Sequence, residues 1–189
     1  MTDQPKSSEL IHFHLPEWRD SHAVTQQVAL ALNHGHKKIV LSGARGDRLL
    51  LAGLTGPWAA EIRIDGDVGT ELARGLDTPG IFVLVDGNAG AGAGYGLKSG
   101  TLVIAGRSGA LLGSHIEGGE IWAIGDAGNR LAHCANGGRI VVGARIGPMA
   151  MDRRRAGTLT IRAFPHPAEE AQEMAHKIAG IRAWPEPLS

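Results

Sequence analysis

The sequence predicts an all-β protein: a right-handed, single-stranded parallel β-helix, a solenoid of about 19-residue coils with a short capping helix at each end. Three observations predict it. Glycine supplies 28 of the 189 residues, about twice its usual share. A glycine-bounded segment recurs at a fixed interval. Within each copy the apolar residues alternate with a period of two, the signature of a strand with one buried face.

The elements follow in order. Asp20 precedes an apolar spacing at Val24, Val28, Ala31 and Leu32 that ends at Gly35, which predicts a capped helix closing one end of the solenoid. Lys38-Ile-Val-Leu-Ser-Gly43-Ala-Arg-Gly46 is a degenerate first copy. Glu61-Ile-Arg-Ile-Asp-Gly66-Asp-Val-Gly69 follows, then Ile81-Phe-Val-Leu-Val-Asp-Gly87-Asn-Ala-Gly90, with Asp77-Thr-Pro-Gly80 as an insertion between them. From there the period is regular. Gly100-Thr-Leu-Val-Ile-Ala-Gly106-Arg-Ser-Gly109 returns as Gly119-Glu-Ile-Trp-Ala-Ile-Gly125-Asp-Ala-Gly128, again as Gly138-Arg-Ile-Val-Val-Gly-Ala144-Arg-Ile-Gly147, and begins once more at Gly157, each 19 residues on.

The alternating pairs are Ile62/Ile64, Val83/Val85, Leu102/Ile104, Ile121/Ala123, Ile140/Val142 and Leu159/Ile161. Each strand ends at a Gly-x-x-Gly corner: Gly66 and Gly69, Gly87 and Gly90, Gly106 and Gly109, Gly125 and Gly128, then Gly147 alone. A residue without Cβ there allows positive φ or a close approach of two backbones. After the last strand, Pro167 and acidic residues open a segment with Ala171, Met174, Ile178 and Ile181 on one side, an amphipathic helix lying on the solenoid or on a partner. The organisation expected is tail and helix over 1–37, six or seven coils over 38–163, and helix and tail over 164–189.

Other repeat folds do not fit. A propeller blade needs about 40 residues, and leucine-rich and collagen frames are absent. Lys plus Arg and Asp plus Glu are 19 each, so the chain has no bulk positive charge to hold nucleic acid. No apolar run approaches the length of a membrane span, the start lacks a signal-peptide pattern, and the one cysteine cannot form an intrachain disulfide. Cytoplasmic location is the expectation.

The candidate chemistry is thin. Gly90-Ala-Gly-Ala-Gly-Tyr-Gly96 misses the Gly-x-Gly-x-x-Gly frame and leads into a strand, so it is not a dinucleotide loop; Leu97 before Lys98-Ser99 removes the phosphate-loop reading. Gly106-Arg-Ser-Gly-Ala110 is not a nucleophile elbow. The one notable group is His115 with Cys134, a full period apart and so stacked on successive coils, with His133 adjacent. Imidazole beside a thiol activates it or shares a metal, but no third ligand is visible, and a surface or interface pair is the plainer alternative. Asp67, Asn88, Arg107, Asp126 and Arg145 form a column that predicts an ion-pair ladder. Arg153, Arg154 and Arg155 make a solvated turn or a contact for an acidic partner. Trp122 is a candidate anchor for a partner, as are Trp18, Trp58 and Trp184.

These corners after short Ile/Val strands, with Gly118-Gly119 and Gly137-Gly138 turns, resemble the GXGXG β-helix domain, over roughly Thr25 to Ile161. That domain closes the large subunit of glutamate synthase and stands alone as the small subunit of N-methylglutamate synthase-type complexes. Ile62-Arg-Ile-Asp-Gly66-Asp-Val-Gly69, Gly125-Asp-Ala-Gly-Asn-Arg130 and Ile146-Gly-Pro-Met149 are similar to that branch. Met151-Asp-Arg-Arg-Arg155 is similar to the related β-helical subunit of formylmethanofuran dehydrogenase and of the formyltransferase/hydrolase complex. Ala144 departs from the pattern, standing where a corner glycine belongs.

The resemblance implies a non-catalytic organising subunit that binds no cofactor itself, its partner subunits carrying FMN and iron–sulfur clusters. A C1-transfer complex of the formyltransferase/hydrolase kind is the alternative assembly. A homo-oligomeric scaffold, or a small enzyme using His115, His133 and Cys134, stands beside both.

Overall fold

The computed structural model describes residues 10–18, 20–153, 160–163 and 168–185, with backbone alone for 160–163 and 168. Arg154, Arg155, Gly157 and Leu159 lie outside the described residues. Eight strands form one sheet in sequence order: β1 (Leu10–His14), β2 (Lys38–Asp47), β3 (Ala59–Val68), β4 (Gly80–Asp86), β5 (Thr101–Ile104), β6 (Glu120–Ala123), β7 (Arg139–Val142) and β8 (Thr160–Ala163). All seven pairings are parallel. A parallel neighbour in sequence order means that the chain travels once around between strands, which is one coil of a solenoid.

The alternating residues stack as the period requires. Ile39, Ile62, Val83, Leu102, Ile121 and Ile140 are in register and inaccessible to solvent. Leu41, Ile64, Val85, Ile104, Ala123 and Val142 form the second inward ladder. Each buried aliphatic side chain contributes roughly 1.5–3 kcal/mol of transfer free energy.

The solenoid makes about five turns averaging about 21 residues, the regular 19-residue step being lengthened by insertions in its first coils. Five stacked corner residues, Val68, Ala89, Ser108, Ala127 and Ile146, mark them. The 19-residue step holds from Phe82 through Thr101 and Glu120 to Arg139. It is 21 from Glu61 to Phe82 and 23 from Lys38 to Glu61, as the insertions predict.

The last step corrects the sequence reading. Arg139 pairs with Thr160, so Ile161 stands against Ile140, where a 19-residue step would set Leu159. Through Asp152 the shorter period still holds, the Cys134 N–H bonding Asp152 O (3.0 Å). A shift of two keeps the parity of the strand; a shift of one would have turned it inside out.

β1, within the segment expected as tail and helix, adds a rung of its own before β2. The two helices take different places. α1 (Ser21–Asn33), capped by Asp20 accepting from Ala23 N (2.8 Å), lays Val24, Val28, Ala31 and Leu32 against Leu50, Leu51 and Leu54 of the first coil. α2 (Ala168–Arg182) lies on the solenoid too, but across the outer face of the sheet and not over its end.

Candidate functional site

The glycine corners are sites of close approach, and positive φ plays almost no part in them. A Cβ on Gly69, Gly87, Gly90, Gly106, Gly109, Gly125, Gly128 or Gly147 would sit 2.2–2.7 Å from the preceding coil, against its backbone or, at Gly106 and Gly147, an asparagine side chain. Gly66, the one with positive φ, would meet Ala44 O at 2.5 Å. Ala144 is exposed at its corner. The neighbouring Gly143 makes the close approach there: a Cβ on it would sit 2.3 Å from Ile124 O.

The column beside these glycines is a hydrogen-bond ladder more than an ion-pair ladder. Asp67 Oδ1 accepts from Asn88 N (2.7 Å), Asn88 Oδ1 accepts from Arg107 N (2.8 Å), and Asp126 Oδ1 accepts from Arg145 N (3.0 Å). Arg107 and Asp126 come within 3.9 Å with the arginine 80% exposed, so that contact adds little.

Positive φ is concentrated elsewhere, between the corner and the next strand. There each coil takes it at every second residue: Leu49, Leu51 and Gly53; Glu71, Ala73 and Gly75; Gly92, Gly94 and Gly96; Leu111, Gly113 and His115; Arg130, Ala132 and Cys134; Met149, Met151 and Arg153, all between 52° and 73°. The alternation aims successive N–H groups at opposite neighbours. Gly113 N–H bonds Ala93 O of the coil before (2.9 Å), while Leu111 and His115 bond Asn129 O and His133 O of the coil after (2.8 Å each). None of the twelve non-glycine residues in these positions is β-branched, the class that tolerates them least.

His115 and Cys134 therefore share a backbone column, as their spacing predicts. Their side chains are held differently. The His115 ring stacks on Tyr95 (centroids 4.8 Å, 28° between planes) and meets His133 edge-on (6.1 Å, 69°). Ser114 Oγ lies 3.1 Å from His133 O and 3.0 Å from His115 Nδ1. A carbonyl can only accept, so the one hydroxyl hydrogen goes to it, and His115 donates to Oγ from Nδ1. Ser114 is 1% exposed with its proton committed to that carbonyl. Cys134 is 8% exposed.

His133 Nδ1 stands 3.5 Å from Asp152 Oδ2. On the other side, the Arg74 guanidinium lies 4.8 Å over Tyr95 and pairs with Glu71 (2.8 Å). The result is one row across five coils, Glu71–Arg74–Tyr95–His115–His133–Asp152, with an acid at each end. Its chemistry is adhesion between coils, each ring filling the step to the next. Among the described residues, no group of three His, Cys, Asp or Glu is placed to hold a metal ion. Arg153 is exposed at the foot of the next turn.

The feature the alternation missed is the outer face of the sheet. Val40, Arg63, Leu84, Val103, Trp122 and Val141 form a third register column, pointing away from the core and buried nonetheless. Met174, Ile178, Ile181 and Trp184 of α2 and the turn after it cover this column. Trp122, expected as an anchor for a partner, is 3% exposed beneath the chain's own helix.

Charged residues fix the helix at both ends. Arg139 pairs with Glu120 and Glu170. Arg182 reaches Asp86 (3.0 Å), and Lys177 reaches Glu61 (3.6 Å). Arg63 holds Asp65 (2.9 Å) and donates to the last carbonyls of the helix, Ile181 O (3.4 Å) and Arg182 O (3.1 Å), where a cation complements the helix dipole. The sequence carried a signal for this: Ile81-Phe-Val-Leu-Val85 and Arg139-Ile-Val-Val142 are apolar on both parities, as strands covered on two faces are.

No family model, no curated protein and no solved structure matches this chain. Among the described residues no helix is long and apolar enough to cross a membrane.

Proposed function

We propose that this chain is a non-catalytic organising subunit of a glutamate synthase-like complex of the N-methylglutamate synthase type, with FMN and iron–sulfur clusters carried by its partner subunits. The observation that supports it is the use made of the candidate reactive groups. His115 and His133 lie in the coil-to-coil row with Ser114 beside them, its proton on a carbonyl, and the Cys134 thiol is buried. The Gly-x-x-Gly corners that carry the resemblance are the positions where neighbouring coils touch backbone to backbone.

A tagged pull-down from the native cell, with mass spectrometry of the co-purifying chains, tests the reading. Recovery of a flavin- and iron–sulfur-bearing synthase chain with a glutaminase-like chain supports it. Formyltransferase and amidohydrolase chains would replace it with the C1-transfer assembly, and a bait returning alone would overturn both. Cys134→Ala should leave the activity of the recovered complex unchanged; a loss would make the thiol part of the chemistry.

A further inference from the structure

The two ends of the solenoid are finished differently. At the first, α1 closes the tube: Leu50 and Leu51 are 0% exposed, and the Leu51 N–H meets the Thr25 hydroxyl. At the last described turn, 143–153, the core is open. Met151 stands in the inward column of Leu51, Ala73 and Ala132, each fully buried, yet is itself 45% exposed, and Met149 beside it is 55% exposed. The backbone is open too. In the coil before, Ala127 donates forward to Arg145 O, Arg130 to Pro148 O and Cys134 to Asp152 O. Their equivalents one coil on are Ile146, Met149 and Arg153, and among the described residues their N–H groups have no carbonyl ahead of them. On the same edge lie the carbonyls of Ile146 and Ala150, whose counterparts Ala127 O and Leu131 O accept from the following coil.

Charge says what this edge takes. The whole chain balances 19 basic against 19 acidic residues, but 143–155 holds Arg145, Arg153, Arg154 and Arg155 against Asp152 alone. Asp152 is turned to His133 (3.5 Å). Among the described residues, Arg145 and Arg153 are exposed and their side chains form no ion pair. An edge of unfilled donors and acceptors is a template for another extended chain. Two methionines offer that chain adaptable apolar contact, and the arginines select an acidic one. A second copy does not fit: its first end is closed by α1, and its last end would set arginines against arginines. We propose that the open end of the solenoid, 146–153, takes an extended acidic segment of another protein as its next rung. The proposal stands on this end of the solenoid, whichever complex the chain joins.

Panning the full chain against a library of random peptides of about twelve residues tests it. The enriched peptides should carry an excess of Asp and Glu, and the best of them, made synthetically, should bind more weakly as salt is raised. On binding, hydrogen exchange at Ile146, Met149 and Arg153 should slow while that of β4 stays unchanged. Met149 and Arg153 sit at φ 60° and 52°, which Asn and Asp accept. Met149→Asn combined with Arg153→Asp should therefore weaken the peptide roughly tenfold or more with the circular dichroism spectrum unaltered. Lys98→Asp, which removes an exposed cation several coils away, should bind the peptide as before.

An empty panning, enriched peptides with no acidic excess, a double variant that binds as before, or protection confined to other amides would each overturn the proposal. So would single-stranded DNA binding as tightly as the peptide, or a chain that sediments at twice 19.8 kDa and returns to monomer in the double variant. The pull-down reads which complex holds the chain, so either experiment can fail while the other stands.

Discussion

A side chain held at a φ near +57° costs about 1–2 kcal/mol relative to its ordinary conformation, and twelve described residues other than glycine are held so. The cost is offset by the two-way backbone hydrogen bonding that the alternation creates. Arg130, exposed at φ 57°, isolates the backbone contribution. Arg130→Gly should change stability by between zero and about +1 kcal/mol, relief of strain being partly cancelled by a more flexible unfolded chain. Arg130→Val should destabilise by about 1–3 kcal/mol. Urea denaturation reads both, and a valine variant as stable as the glycine one would refute the argument.

The corners give the opposite case. Gly106→Ala puts a methyl group 2.6 Å from Gly87 O, whereas Gly53→Ala, at φ +69° with nothing within 4 Å, meets only the backbone preference. The first should cost several kcal/mol and the second about 1, measured in the same titration. Both are glycines of one repeat, and only the stacked geometry tells them apart.

Among the elements, α1 acts as a missing coil. The N–H groups at the middle of each alternating run point back to a carbonyl of the coil before: Gly94 to Leu72 O, Ala132 to Leu112 O. Leu51, in the same column, donates to the Thr25 hydroxyl (3.0 Å), which itself donates to Ser21 O (2.8 Å). Thr25→Val keeps the shape and leaves a buried N–H unpaired, so it should cost about 1–3 kcal/mol; an unchanged denaturation midpoint would contradict this role. At the other helix, Arg63→Met should release the end of α2, costing on the order of 2–3 kcal/mol and speeding hydrogen exchange at Ile181 and Arg182 before the strands respond.

The difference between these helices explains what could be read in advance. Asp20, the α1 apolar spacing and the repeat were visible because each is set by local periodicity. The position of α2 depends on which face of the sheet lies uncovered, a tertiary matter on which Met174, Ile178 and Ile181 are silent. The 19-residue step was legible through Gly138 and failed at the last strand, where Arg139 pairs with Thr160, 21 residues on. In the candidate site the backbone column of His115 and Cys134 followed from spacing alone. Tyr95 and Ser114, which hold the histidine, had no motif to announce them.

Over the whole molecule, stability should be graded along the axis, as in arrays where each unit touches only its neighbours. Amides of β4 to β6, with coils on both sides and α2 above, should exchange slowest, and those of β8 much faster. Uniform protection from β1 to β8 would instead mean that the coils unfold as one block. A chain ending at 163 would uncover Leu84, Val103, Trp122 and Val141, and should bind a hydrophobic dye and aggregate where the full chain does not.

α2 crosses the strands, from Glu170 at β7 to Arg182 near β3 and β4. Its 15 residues span about 22 Å, and five strands at about 4.8 Å centre to centre span about 19 Å. The coils are alike enough that growth by duplication could continue without limit, and nothing within the repeat says when to stop. The helix acts as a gauge laid across part of the array: it spans five of the eight strands, and β1, β2 and β8 extend past its ends. The length of the stretch that is covered on two faces is written in an element that belongs to none of its coils.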